Sequence, residues 1–475
     1  MMYLTDLFKL RVFTFGRLVR LMTHLVRYGI QLGNVMHMCT DRDKVAIKHR
    51  DKSVTYRALF KQVASLSGYV YQTYKVKQGS DVLVIVDNSI PSIVLLLALS
   101  ALGCNIQIIA PIKDCDQFTR TVDCTKYDFI FSCIEEKIDY YDYVPLYFIT
   151  PLWEETLSHE VYKPFIKVRT SLSIFTSGST GIAKRAKRSN TLWQYLNAVS
   201  DLVKTLRLQH YSSVILPVPI YHSYGLSTLF LSLMLNKTLC IVNKFDVIEV
   251  VREIKTSRIE VVILIPQMLY RLLDYDLNSV RCIVSCSDVL PTTVFQAAKN
   301  KFGDIIFNLY GTSETGLATI AMPEMLALKP DTIGRPINGC KLKLIMENGN
   351  CILYVKSSFA MKSGYIRTGD IATTDEHGWY YLRGRADHLL VVNGLNVYPY
   401  ELLEMVYKNE EVQHAEVKAF TNEHGFKKIK LILYCRQTHA MDEKQFKNWW
   451  FEHYGTKFLP ATIEFKTDDS HIKLM

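Results

Sequence analysis

Small hydroxyl and glycine residues crowd the run "TSGSTGIAK", Thr176 to Lys184. Such residues let a backbone come close to a ligand, and successive N–H groups form a concave site for an anion. The run follows an apolar lead-in, Ser171 to Phe175, and reads as a phosphate loop at a strand end. It is not the G-x-x-x-x-G-K-[ST] loop of ordinary P-loop ATPases. Gly178 and Gly181 are three apart, and Lys184 follows after two further residues. Other runs carry compatible chemistry. In "NLYGTSETG", Tyr310 offers an aromatic face for a base, Ser313 a hydroxyl for phosphate, and Glu314 a carboxylate for Mg²⁺, a hard oxygen-seeking ion. "YIRTGD" ends on Asp370, suited to the two hydroxyls of a ribose, and "GRADH" supplies Arg385 and Asp387. Taken singly, each has an ordinary reading: a loop residue, a turn aspartate, a surface ion pair, and for His222 of "PIYHSYG" a histidine satisfied by a backbone partner.

The elements around these residues decide between the readings. From about 45 to 165, apolar strand-like runs ("DVLVIVDN", "YDFIFSC", "YVPLYFIT") alternate with helical patterns, the rhythm of βαβ units and a mainly parallel sheet. It resumes with "SSVILPVP", "VVILIP", "VRCIVSCSD" and "IIFNLYGTSETG", each ending in a small or polar residue. Ligands of open α/β sheets bind beyond the carboxyl ends of the strands, so these ends are expected to ring one site. From about 333 shorter alternating strands predict a β-rich subdomain, and from about 386 two helical patterns and two or three strands predict a small α+β domain. The expected fold is therefore α/β: an N-terminal domain over 1–384, hinged at "RGRADH" to a mobile C-terminal domain over 385–475.

A chain of 475 residues exceeds one ordinary core, and 49% hydrophobic with 21% charged residues is a globular composition. The net charge of +10 is spread along the chain, so nucleic acid is not the default partner; anionic small molecules or an acidic membrane surface suit it equally. Eleven scattered cysteines without a C-x-x-C pair, and the absence of a signal peptide pattern, lead to an expectation of reduced thiols in cytoplasm. Ser89 to Ile112 carries no charge and is long enough to span a bilayer. Asn105, Gln107 and the helix-stopping Gly103 favour a buried helix–strand pair instead. Residues 1–30 interleave Lys9, Arg11, Arg17, Arg20 and Arg27 with apolar residues. They suit either a helix lying on a membrane surface or a first helix packed on its own domain.

Five motifs in order, "TSGSTGIAK", "PIYHSYGL", "NLYGTSETG", "YIRTGD" and "GRADHLLVVNGLNVYPYE", carry a resemblance over nearly the whole chain, from Ser53 to about Glu404. The sequence resembles the adenylate-forming superfamily of acyl-CoA synthetases, nonribosomal-peptide adenylation domains and beetle luciferases. The resemblance implies an acid–thiol ligase. A carboxylate attacks the α-phosphate of ATP, pyrophosphate leaves, and a thiol, usually that of coenzyme A, takes the acyl group. It implies that Thr176, Ser177, Gly178, Ser179, Thr180, Gly181 and Lys184 hold the β- and γ-phosphates. Tyr310 and Gly311 would meet adenine, Ser313 the α-phosphate, Glu314 Mg²⁺, Asp370 the ribose, and Arg385 ribose or phosphate. His222 would lie near the acyl carboxylate, and Asp387 would be the hinge. The family's C-terminal catalytic lysine, set in Pro-x-x-x-x-Gly-Lys, falls on Lys473 of "SHIKLM", which lacks that glycine and proline. Ala183 and Arg185 are further departures, where proline and glycine are frequent.

The run Tyr221 to Gly225 holds no acid to grip an α-ammonium, and no carrier domain follows, which leans away from amino acids. Gly225, Leu226 and "LFLSLML" suit a hydrophobic acyl channel, and the basic N-terminus suits an acid that partitions into membranes. A fatty acid is thus the expected substrate, with a look closest to bacterial long-chain fatty-acid–CoA ligases. An aryl acid, transfer to a carrier protein, and an ATP-binding relative impaired in catalysis are the alternatives.

Overall fold

The computed structural model describes Gly29–Ile30 and residues 41–467, apart from 113, 135–145, 149–167, 177–183, 186–191, 361, 389, 393–394, 410, 424–426, 436–440 and 457. Strand Asp81–Ile85 lies at the centre of a six-stranded sheet between Asn105–Ile109 and Phe129–Ser132, all parallel. These strands are mostly apolar (Val, Ile, Leu and Phe) because helices cover such a sheet on both faces. Strand Ser171–Thr176 runs parallel beside Asn105–Ile109, and Lys184–Arg185 returns antiparallel to it, pairing Lys184 with Thr176.

The uncharged stretch from Ser89 resolves into helix Ile90–Ala101 and strand Asn105–Ile109, as its asparagine and glutamine predict. Ser89 caps the helix by accepting the N–H of Ser92, and apolar side chains surround it on every side. Among the described residues no helix is long and apolar enough to cross a membrane. The basic segment 1–30 lies outside the described residues except for Gly29–Ile30, which pairs with Val168–Arg169.

The second sheet has thirteen strands. Val45–His49, Thr238–Ile241, Ser213–Leu216, Val261–Leu264, Cys282–Ser285 and Ile306–Thr312 are parallel neighbours in that order. Beyond Ile306–Thr312 the sheet turns antiparallel through Gly316–Ala321, Thr332–Pro336, Tyr380–Arg385, Ile366–Thr374, Asn350–Ser357 and Cys340–Glu347. The β-rich part expected from about 333 is therefore hydrogen-bonded directly onto the parallel part.

Asn88, 1% exposed at the end of the central strand of the first sheet, stitches the two sheets together. Its Nδ2 donates to the carbonyls of Val218 (3.1 Å) and Val242 (2.9 Å), and its Oδ1 accepts the N–H of Ile220 (2.8 Å). Past the second sheet, helices Pro399–Val406 and Glu443–Tyr454 pack on the strands Val412–Thr421, Lys427–Cys435 and Thr462–Thr467. Their core, around Trp450, Phe446, Leu402 and Leu431, is separate from the main one and has the expected α+β character.

Candidate active site

The carboxyl ends of the parallel strands open onto one cleft of about 2010 Å³. Ordinary small-molecule pockets hold roughly 300–1,000 Å³, so this one has room for more than a single ligand. Its lining includes His222, Gln267, Cys286, Tyr310, Ser313, Glu314, Asp370 and Arg385, and also Ile174 and Phe175 from the strand that leads into the loop expected to hold phosphate. Ser177 to Gly181, and the side chains of Thr176 and Lys184, lie outside the described residues, as does Lys473. What is described is the base of that loop, where Lys184 pairs with Thr176 in a hairpin.

Tyr310, 8% exposed, donates its hydroxyl to Oδ2 of Asp370 at 2.5 Å. Oδ1 of the same carboxylate accepts Nη1 of Arg385 at 3.1 Å. Arg385 in turn grips Asp387 with two parallel bonds of 2.8 Å, the geometry that suits a planar guanidinium. One chain of contacts thus joins the aromatic position, the ribose position and the hinge position read from the sequence. Burial pushes the carboxyl of Asp370 upward against the opposing pull of Tyr310 and Arg385. The Arg385 guanidinium is held charged, first by its hydrogen bond to Asp387.

The turn after Tyr310 is shaped by residues the sequence did not single out. Thr315, fully buried, accepts the N–H of Thr312 (3.2 Å), its hydroxyl meets that of Thr312 (3.1 Å), and Thr312 accepts the N–H of Thr315 (3.2 Å). This reciprocal pair closes the turn, leaving Ser313 half-buried and Glu314 exposed toward the cleft. A Cβ at Gly311 would stand 2.3 Å from the carbonyl oxygen of Gly316, so the turn demands glycine there. Asn308, which opens the same motif, is 5% exposed, and its Oδ1 has no hydrogen-bond partner. A buried acceptor left unpaired at a cleft wall is suited to a ligand's N–H.

Among the described residues no cluster of three or more His, Cys, Asp or Glu gathers to hold a metal ion. A single carboxylate such as Glu314 fits magnesium, which takes one or two protein carboxylates and draws its other ligands from nucleotide phosphates and water. His222 caps helix Ser223–Met234 through its backbone, and its ring opens on the cleft 4.7 Å from that of Tyr221. The cleft wall desolvates the ring enough to lower its pKa, which favours neutral imidazole. Burial pushes the Cys286 thiol up to about 11, so it is no thiolate nucleophile at neutral pH.

Helix Ser223–Met234 divides the run expected to line an acyl channel. Its leucines 226, 229 and 233 are buried in the core, whereas Ser223, Ser227, Thr228 and Ser232 join Leu231 in lining the cleft. Leu231 and Leu235 of the run line the cleft while Leu229 and Leu233 pack in the core, so hydroxyl and apolar groups share this wall.

Strand ends in family order, a nucleotide-shaped set of polar groups and a large shared cleft define an AMP-binding enzyme. The sequence matches the AMP-binding enzyme family over residues 37–365, and the chain belongs to that family. It shares 27% identity over 402 residues with the 2-succinylbenzoate–CoA ligase of Bacillus pumilus, covering 79% of this chain and 82% of that one. With the 2-succinylbenzoate–CoA ligase of Staphylococcus aureus strain Newman it shares 27% over 403 residues, 75% of this chain and 80% of that one. Its fold matches that of o-succinylbenzoate CoA synthetase from Bacillus subtilis in complex with an acyl-adenylate, with a TM-score of 0.78 at 19% identity over 92% of this chain and 94% of that one. ATP-bound MatB from Rhodopseudomonas palustris matches with a TM-score of 0.77 at 18% identity, over the same shares of the two chains. The expected likeness to long-chain fatty-acid–CoA ligases is corrected by these relatives, whose named acid is aromatic.

Proposed function

We propose that the protein activates an aryl carboxylic acid with ATP and passes the acyl group to the thiol of coenzyme A. The observation that carries this reading is the cleft itself. It has room for more than one ligand, and its lining combines Tyr310, Asp370 and Arg385 with the hydroxyl-bearing residues of helix Ser223–Met234. The 2-succinylbenzoate–CoA ligases among its relatives support the choice of acid.

In the first step a carboxylate oxygen bonds to the α-phosphorus and the bond to the β-phosphate bridge breaks, releasing pyrophosphate. In the second the thiol sulfur, giving up its proton, bonds to the acyl carbon and AMP leaves. Asp370 accepts the ribose hydroxyls, Asn308 accepts a base N–H, and Ser313 donates to the α-phosphate. Thr176 to Gly181 and Lys184 stabilise the departing pyrophosphate, charge placed where charge develops. Glu314 would hold Mg²⁺, whose charge offsets that of the phosphates. Neutral His222 beside the acyl carboxylate can donate without adding a second cation. Lys473 is proposed as the lysine that bridges carboxylate and α-phosphate, and Asp387 as the hinge between a body of residues 1–384 and one of 385–475.

The test is ATP–pyrophosphate exchange against aryl, fatty and amino acids, followed by thioester formation on adding coenzyme A. Exchange with 2-succinylbenzoate and not with alkanoates is expected; ATP binding with no exchange for any acid would refute the ligase reading. Lys473→Ala is expected to lower exchange at least about tenfold while sparing thioester formation from supplied acyl-adenylate, the pattern of a group used in one half-reaction. Intact exchange in that variant would remove Lys473 from the chemistry.

A further inference from the structure

One polar group in the cleft has no part in the reaction as laid out above. Helix Pro266–Leu272 follows strand Val261–Leu264, whose neighbours in the sheet carry His222 beyond one carboxyl end and Ser287 beyond the other. Gln267, Tyr270 and Arg271 fall at i, i+3 and i+4 on one face of this helix, and all three line the cleft. So do Ser223, Ser227 and Leu231, at i, i+4 and i+8 on the helix that follows the adjacent strand Ser213–Leu216. Both faces line the same cleft as the Tyr310–Asp370–Arg385 chain, and stand on helices that follow adjacent strands.

Nε2 of Gln267 is shielded from solvent and has no hydrogen-bond partner. Buried amide groups are almost always paired, so an unpaired one facing a ligand cleft marks a partner that arrives with the ligand. A side-chain amide can present donor or acceptor by turning over. Arg271, one turn further along on the same face, adds a group that only donates. Together they suit an accepting, preferably anionic, group. A saturated chain in the same place would leave the amide unpaired, which a site built to hydrogen-bond its substrate rejects strongly.

We propose that Gln267, with Arg271 beside it, forms a subsite for a second carboxylate carried by the acid that is activated. The proposal rests on the ligase reading. It says which side chains read the second carboxylate of an acid such as 2-succinylbenzoate, and it makes Gln267 a specificity-determining residue.

Two acids that differ by a single carboxylate test it: 2-succinylbenzoate and 4-oxo-4-phenylbutanoate. The wild-type protein is expected to favour the diacid at least tenfold in kcat/KM. In Gln267→Met, which keeps the side-chain length, that preference falls about tenfold, through KM for the diacid more than through kcat. Gln267→Glu sets a carboxylate against the incoming one and lowers the preference further. A structural role would depress both acids together and leave their ratio unchanged, an outcome that overturns the proposal. A wild-type preference for the monoacid overturns it as well while leaving the ligase reading intact. No exchange with any acid removes both.

Discussion

Replacing Asp370 with asparagine is expected to lower acid-dependent ATP–pyrophosphate exchange by at least about 100-fold and to weaken ATP binding in parallel. The reason lies in what the two carboxylate oxygens already hold. Oδ2 accepts the Tyr310 hydroxyl at 2.5 Å and Oδ1 accepts Arg385 at 3.1 Å, and the residue is 6% exposed. An asparagine keeps one accepting oxygen and turns an NH₂ donor toward a group that also donates. The change removes the charge from a pair whose arginine is half-buried, and the ribose loses its ionised acceptor with it. Arg385 would then lean wholly on Asp387, to which it already makes two bonds.

The pH dependence separates this role from a purely structural one. Burial raises the Asp370 pKa above its ordinary value. Between the ordinary and the raised value the folded protein binds more protons than the unfolded chain, so this group's contribution to stability falls as pH rises through that window. Nucleotide affinity runs the other way, because ribose hydroxyls need the ionised acceptor. Acidification through the window is therefore expected to weaken ATP binding while the Asp370 term in stability grows. Titration calorimetry and thermal unfolding of wild type and Asp370→Asn against pH read both, since the variant has nothing to titrate there. Parallel curves for the two proteins would rule the assignment out.

The residues legible in the sequence are those set by chain-local pattern. Apolar runs ending in small or polar residues located the strand ends, and the glycine and hydroxyl spacing located the loops, so His222, Tyr310, Ser313, Glu314, Asp370 and Arg385 come together as expected. The polar interruptions at Asn105 and Gln107 sorted a buried helix–strand pair from a membrane span. What stayed hidden acts across the fold. Asn88 looks like the polar end of one more strand run, and its partners lie about 130 residues and more away. Thr312 and Thr315 bond to each other, and Gln267 matters only because its helix turns toward the cleft. The acyl channel was only partly legible for a related reason. "LFLSLML" records that the helix is apolar, but which side meets the ligand depends on packing: Leu231 and Leu235 line the cleft, and Leu229 and Leu233 went to the core.

Gly225→Ala is expected to abolish most acid activation while leaving ATP affinity close to wild type. Gly225 is buried in the first turn of helix Ser223–Met234. A Cβ there would stand 2.2 Å from the Pro219 carbonyl oxygen, 2.7 Å from its carbon and 3.0 Å from the oxygen of Val218. All three atoms are backbone, so no side chain can swing aside to make room. Nor can the turn yield, since Asn88 holds Val218 and Ile220 from the far side and His222 donates its N–H to the Pro219 oxygen. The helix must move, carrying His222, Ser223 and Ser227 with it. Overpacking of this kind costs typically 1–3 kcal/mol in stability, within what a domain can bear. The larger effect is positional: a shift on the order of 1 Å at the reacting carboxylate is worth about 100-fold in rate. ATP affinity is spared because Tyr310, Asp370 and Arg385 stand on other strands of the sheet. Measured together, acid kcat/KM, ATP affinity and the melting temperature separate misplacement from unfolding. A variant with normal acid kinetics would show that the approach of helix and turn at Gly225 does not set the acyl site. One that also fails to bind ATP would show that the two halves of the cleft are not independently held.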